Sequence, residues 1–267
     1  MKEYFTRLYR DSKTYQKIFW WLLRGVMIFG IVYTAFFQPD GDFGAAGGRA
    51  KQVLQMSANL VGLFSWEIAQ MTSEKCFLRH MPAYVQNYAA VSFTLASFGG
   101  AFLNFYYSIP AYDMILHFTG GAAGTWLGYE AVTAMQVRDK QKCGFSVALW
   151  AAVGLCFMVC NGWELFEFCF DQFAGGDTQH WSLELAKEAA AKYGTREYPN
   201  LIPALCDERF ALMDTMEDII CNTAGVVLTI IFLKIFPYNH KGKRNVNDRI
   251  DAMLAEDTQN VKESVRV

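Results

Sequence analysis

The sequence predicts an all-α protein, a polytopic bundle of six membrane-spanning helices with both termini in the cytoplasm. Composition points there first. Of 267 residues, 53% are hydrophobic and 16% aromatic, and only 19% are charged. The apolar residues also fall in runs of about twenty, the length that crosses a bilayer core. These runs occupy roughly 18–37, 53–71, 84–108, 112–135, 145–168 and 210–235. The third observation is the placing of Lys and Arg. The N-terminal flank carries Lys2, Arg7, Arg10, Lys13 and Lys17, and the C-terminal tail carries Lys241, Lys243, Arg244, Arg249, Lys262 and Arg266. The loops after the second and fourth runs hold Lys75 and Arg79, then Arg138, Lys140 and Lys142. The opposite side has only Arg49 and Lys51, an empty second loop, and four basic residues in a long third one. An excess of basic residues marks the cytoplasmic face.

The chain therefore divides into a cytoplasmic flank at 1–17, a transmembrane domain at 18–237 and a cytoplasmic polar tail at 238–267. No small-residue cleavage site accompanies the first apolar run, so that helix is expected to stay. A net charge of −2 gives no reason to expect nucleic acid as a partner. Membrane lipids are the expected surroundings. Seven cysteines have no metal-knuckle spacing. Cys169 and Cys206 bracket the outer loop and can pair in an oxidising compartment.

Taken in order, the flank mixes aromatic and basic residues, as a topology-setting segment does. The first run contains Arg24 and the second Glu67. Both lie near the inner surface by the charge-derived orientation, so a structural ion pair is expected. The third run carries Gly99 and Gly100, which permit a close helix crossing. Asn104, Tyr106 and Tyr107 follow at its outer end, the tyrosines as an aromatic belt. Pro110 then turns the chain directly into the fourth run, YDMILHFTGGAAGTWLG. There Asp113 and His117 stand one helical turn apart, with Gly120, Gly124 and Gly128 below them on the same face.

The fifth run ends with Glu164, Glu167 and Asp171 at helical spacing, while Trp163 and Phe166 point elsewhere as lipid-facing residues. The outer loop, 172–209, contains SLELAKEAAAKYG, a helix-forming stretch stopped at Gly194 and expected to lie on the membrane surface. Asp177 and His180 read as ordinary loop polarity. The sixth run opens with Asp214, Asp218 and Asn222, spaced by four, and Gly225. Glu130, Asp207, Glu208 and Glu217 fall at helix ends or off the shared faces and are expected to be solvated. The tail is expected to be a short exposed helix or disordered.

Orientation makes these polar groups a candidate site. The fourth run starts outside, the fifth ends outside and the sixth starts outside. Asp113, His117, Glu164, Glu167, Asp171, Asp214, Asp218 and Asn222 thus share one depth, with Asn104 nearby as a supporting polar group. So many acids cannot all be ionised and unpaired in a low-dielectric pocket. Protonation, pairing with Arg209 or His117, or a divalent cation would answer that. Carboxylate and imidazole ligands from facing helices suit Zn, Mn or Fe, with Mg or Ca where oxygens dominate. The alternative is a hydrogen-bonded network that only holds helices together. Intramembrane ionisable groups more often serve function.

Three motifs carry a resemblance: YDMILHFTGG, then WELFEF, then DTMEDIICNTAG. Across roughly 98–227 the chain resembles the YjdF-type membrane proteins and the wider VanZ-like group. It departs from them in the long connection before Asp214. The resemblance implies a cell-envelope location and sets no reaction. On the residues, the first functional expectation is a metal-assisted hydrolase or transferase acting on a lipid-linked substrate. His117 or Glu167 would be the base, and Asp113, Glu164, Asp171, Asp214 and Asp218 the carboxylates around a cation. A transporter or lipid-moving protein using the same acids is the second, although no inverted repeat is visible. A non-catalytic envelope protein is the third.

Overall fold

The computed structural model describes residues 9, 12–39, 48–109, 111–179, 181–182, 187, 191–192 and 210–264. Every regular element among them is helical. Helix α1 spans Thr14–Phe36. Its buried residues, Gln16, Trp20, Arg24, Met27, Gly30 and Thr34, recur every three or four positions and make one stripe. Ile18, Trp21, Leu22, Phe29 and Phe36 are exposed on the other side, as lipid-facing residues would be.

The expected second span is broken. It forms α2 (Arg49–Gly62) and α3 (Ser65–Met71), with Leu63 and Phe64 between them. The break leaves a buried carbonyl, and buried backbone polar groups need partners. Leu63 O accepts from Arg24 Nε at 3.1 Å, Arg24 Nη2 at 2.7 Å and Gln86 Nε2 at 2.6 Å. On the other side of the break, Gln86 Oε1 accepts from Ser65 Oγ at 2.6 Å and the Trp66 backbone N–H at 2.9 Å. Arg24 Nη2 also meets Glu67 Oε2 at 2.7 Å, and the Arg24 side chain is wholly buried. The guanidinium therefore both neutralises Glu67 and closes the gap between two helices.

The next helix, α4 (Tyr84–Thr94), runs on into a π-helical stretch, Leu95–Phe102. Gly99 and Gly100 lie there, but they receive aromatic rings rather than a crossing helix. A Cβ on Gly99 would strike the Tyr112 hydroxyl, and one on Gly100 the Tyr106 ring. At the start of this stretch the Leu95 carbonyl also accepts from Tyr112 Oη at 2.9 Å. Asn104, in the left-handed region at φ 57°, then starts the short α5 (Phe105–Ser108).

Helix α6 (Tyr112–Asp139) is the hub of the second half. It lies along α7 (Phe145–Ala174) on one side and α8 (Phe210–Ile235) on the other. Glycine sets these crossings. A Cβ on Gly121 would fall on the Asn222 carbonyl oxygen of α8, and one on Gly225 on the Phe118 carbonyl oxygen of α6. Gly128 approaches the Ala152 backbone of α7 in the same way. Of the expected glycine column, Gly124 and Gly128 thus face α7. The closest α6–α8 approach uses Gly121, outside that column. Thr229 Oγ1 adds a hydrogen bond to Ala122 O at 2.7 Å across the crossing.

Among the described residues the two largest apolar clusters lie one in each half. One joins Trp20, Met27, Met56, Leu63, Trp66 and Ala90 in the first half. The other joins Tyr129, Val132, Leu149, Ala152 and Leu233 in the second. At the α8 exit, Glu130 is buried, not solvated as expected. It accepts from the Tyr238 hydroxyl and from Asn239 Nδ2, the latter at 3.1 Å. Burial pushes the His240 imidazole below its ordinary pKa, which keeps the ring neutral beside the Tyr129 hydroxyl, 2.6 Å from Nδ1. Glu217 is buried as well. The tail is ordered into α9 (Val246–Ser264), whose Val246 and Ile250 pack on Val137 of α6. Lys140–Asp257 and Lys142–Asp251 ion pairs flank that contact.

Among the described residues three helices are long and apolar enough to cross a membrane: α1, α7 and α8, the last over Ala211–Ile235. The other expected spans fall short for visible reasons. The second and third are interrupted, and α6 is diluted by Asp113, His117, Glu130 and Arg138.

Candidate functional site

Helical spacing brings Asp113 and His117 to one face of α6, Glu164 and Glu167 to one face of α7, and Asp218 to the facing side of α8. These five side chains meet between the three helices. His117 Nε2 lies 3.5 Å from Asp113 Oδ1 and 3.5 Å from Asp218 Oδ1. Its Nδ1 lies 3.6 Å from Glu164 Oε1 and 3.2 Å from Asn222 Nδ2. Two triads emerge, Asp113–His117–Asp218 and Glu164–Glu167–Asp218, each with donor atoms within 4.8 Å of one another. Asp218 belongs to both.

The cluster is secluded but not sealed. The Asp218 side chain is 2% exposed and those of His117 and Glu164 8% each, whereas that of Asp113 is 20% exposed. Access is therefore from the Asp113 side. The three ion-pair contacts of His117 with carboxylates are all longer than the 2.7–3.2 Å or so of a hydrogen bond. Neither oxygen of Glu164 accepts a hydrogen bond among the described residues, and Asp218 Oδ2 accepts none either. Two like charges about 4 Å apart repel by roughly 4 kcal/mol even at an effective dielectric near 20. Four ionised carboxylates around a single imidazole are thus untenable without added positive charge or shared protons.

The remaining expected residues take other places. Asp214 is buried one turn before Asp218 on α8. Asp171 is turned away from the ligand role expected of it. Its Oδ1 accepts from the Thr178 N–H and Oγ1, both at 2.8 Å, and its Oδ2 from the Gln179 N–H at 2.8 Å. It is an anchor for the chain leaving α7. Asn222 supports His117, while Asn104 sits buried at the backbone turn before α5. Arg24 and Glu67 form their pair in the other half of the molecule.

Some residues joined the site that their spacing did not announce. Trp163, expected to face lipid, donates from Nε1 to Glu167 Oε1 at 2.8 Å. Asp177 is 2% exposed rather than a solvated loop residue, and accepts from Tyr107 Oη at 2.9 Å and the Ser182 N–H at 2.7 Å. Gln179 Nε2 reaches Thr215 Oγ1 at 2.8 Å. The stretch 175–179 therefore ties α5, α7 and α8 together above the cluster. Tyr106 folds its ring over Gly100 and packs edge-on against Tyr112, next to Asp113 in sequence. The only sequence signal for it was the pair Gly99–Gly100 shortly before Asn104, which marks a chain doubling back. His180, Arg209, Cys206, Asp207, Glu208 and most of the SLELAKEAAAKYG segment lie outside the described residues.

No curated protein and no solved structure matches the chain. Residues 20–238, most of its length, match the family described as "Predicted membrane protein (DUF2238)", and the chain belongs to that family of membrane proteins.

Proposed function

We propose that the cluster between α6, α7 and α8 holds a divalent cation and uses it in hydrolysis or group transfer on a lipid-linked substrate. The observation that carries this is the spacing around His117. A tetrahedral ion about 2.1 Å from each nitrogen and oxygen donor sets those donors about 3.4 Å apart. The His117 Nε2 separations from Asp113 and Asp218 are both 3.5 Å. These contacts are too long for hydrogen bonds and of the right length for the edges of a coordination shell. The chemistry supplied by such an ion is polarisation of a substrate oxygen and activation of water. Asp113, His117 and Asp218 bind it, with Zn, Mn, Fe or Mg as the candidate ions. With Nε2 on the ion Nδ1–H is a donor, so the Asn222 amide, 3.2 Å away, orients the His117 ring with its oxygen turned towards Nδ1, and Asp214 adds negative potential one turn outward. Proton transfer falls to Glu167 unless its side of Asp218 is itself occupied.

In this reading the protein is a six-span, multi-pass protein of a bacterial-type cell membrane, with both ends of the chain in the cytoplasm. The cluster then lies near the outer leaflet, where lipid-linked envelope substrates are handled. The basic-residue asymmetry and the resemblance of the three motifs to YjdF-type and VanZ-like proteins support that placement.

Two measurements test the reading. Purified wild-type protein should retain a divalent ion in elemental analysis, and monodisperse Asp218→Asn protein should lose it. Wild-type protein without metal, or metal that survives both Asp218→Asn and His117→Ala, would leave a purely structural network. For topology, cysteines placed at Lys187 and at Lys241 in a cysteine-free background should label from opposite sides. Labelling of both from outside would rule out six spans.

A further inference from the structure

The geometry points to a site for two cations rather than one, with Asp218 as the carboxylate that bridges them. This rests on the cation reading above and goes beyond it in stoichiometry and in the roles of two residues. Asp218 is shared between a triad that includes an imidazole, with Asp113 and His117, and an all-oxygen triad, with Glu164 and Glu167. The second triad has its own indication of a missing partner. Glu164 is 7% exposed, yet neither of its oxygens accepts a hydrogen bond among the described residues. Asp218, 2% exposed, likewise has Oδ2 without a hydrogen bond although Oδ1 faces His117. One oxygen is thus directed to the first triad, and the other remains for a neighbour.

Charge leads to the same count. Asp113, Glu164, Glu167 and Asp218 carry four negative charges when ionised. One divalent cation would leave two of them uncompensated in a secluded site, and two cations leave none. A carboxylate using both oxygens can hold two ions about 3.5–4 Å apart, the spacing of two-metal sites. Helical bundles that place paired carboxylates and imidazole on facing helices use that arrangement for dinuclear centres. Here α6 supplies Asp and His four residues apart, α7 supplies two Glu three apart, and α8 supplies the shared Asp. The two positions differ in kind. The one with His117 suits Zn, Mn or Fe, and the all-oxygen one suits Mg, Mn or Ca. With both filled, His117 and Glu167 are ligands and no longer candidate bases.

The test uses full-length protein in detergent, stripped with a chelator and titrated with manganese(II) chloride. Wild-type protein should bind two Mn²⁺ per chain. The loaded sample should show the multiline spectrum of an exchange-coupled pair in electron paramagnetic resonance. Asp113→Asn and Glu164→Gln should each weaken one position at least tenfold, leaving one ion and a six-line mononuclear spectrum. Saturation at one ion, or two ions with uncoupled spectra, overturns the bridged pair while leaving a single-cation site standing. No binding at all overturns the cation reading too. The wild-type stoichiometry decides the matter even where a variant fails to fold.

Discussion

Arg24→Ala should be among the most damaging single changes outside the cluster, lowering stability by about 3–5 kcal/mol as the loss of one partner in a buried pair does. The Arg24 side chain is wholly buried, and its removal strands Glu67 and the Leu63 carbonyl at once. The guanidinium also stacks 4.0 Å from the Phe64 ring centre and 4.9 Å from that of Trp21, contacts that an ammonium does not reproduce. Arg24→Lys should therefore recover only part of the loss. Glu67→Ala should be milder, because Arg24 keeps its bonds to Leu63 O. The double replacement should cost less than the two single losses added together. Thermal unfolding of the four proteins in detergent measures this coupling. Strictly additive losses would mean that the 2.7 Å contact contributes nothing beyond its separate parts. Tyr9 provides a peripheral check. Its hydroxyl donates to Glu67 Oε1 at 2.5 Å, and burial followed by Glu67 pushes its pKa to about 12. The phenol stays protonated through neutral pH, so Tyr9→Phe should cost stability without adding a pH dependence there.

Much of the helical plan was legible in the sequence because apolar runs and helical spacing are local properties. The Arg24 and Glu67 proximity was legible for another reason. Two opposite charges at the same depth have few alternatives to each other. What the pattern could not reveal was the form of the second and third runs. The break at Leu63 exists because Gln86, distant in sequence, and Arg24 supply the donors and acceptor that a helix end lacks. The π-helical stretch at 95–102 likewise depends on Tyr112 and Tyr106 filling space beside Gly99 and Gly100. Neither tertiary partner leaves a mark on the segment it changes.

The cluster was legible as a set of faces, since i, i+3 and i, i+4 spacings fix which side chains share a side of each helix. Which members close on His117 was not. Asp171 has the same spacing as Glu164 and Glu167, yet it lies in the last turn before Gly175 ends the helix at φ 67°. There the returning backbone of Thr178 and Gln179 claims both its oxygens. Glu130 shows the converse. It is alone on its turn of α6 and was expected in water, but Tyr238 and Asn239 fold back from beyond Pro237 to meet it.

The glycines of α6 yield the sharpest structural prediction, because neighbouring positions should answer the same substitution in opposite directions. Gly121→Ala places a methyl on the Asn222 carbonyl oxygen, and Gly225→Ala places one on the Phe118 carbonyl oxygen. Both obstacles are backbone, so α6 and α8 must separate rather than a side chain turn aside. Overpacking of this kind costs about 1–3 kcal/mol and occasionally more. Gly124→Ala meets the Cys156 side chain, its Cβ at an ordinary 3.8 Å and its sulfur at 2.8 Å, and the sulfur can rotate away. Gly120→Ala meets Asn222 Oδ1 at 3.5 Å, ordinary contact, and should even profit from the roughly 1 kcal/mol advantage of alanine within a helix. The predicted order of thermal stability is Gly120→Ala at or above wild type, then Gly124→Ala, then Gly121→Ala and Gly225→Ala well below. Because Asn222 and Asp218 lie on the displaced helix, Gly121→Ala should also weaken Mn²⁺ binding, although it removes no candidate ligand. Equal melting temperatures for Gly120→Ala and Gly121→Ala would show that the two helices do not cross at Gly121. The alignment of Asp218 with His117 would then lose its structural basis.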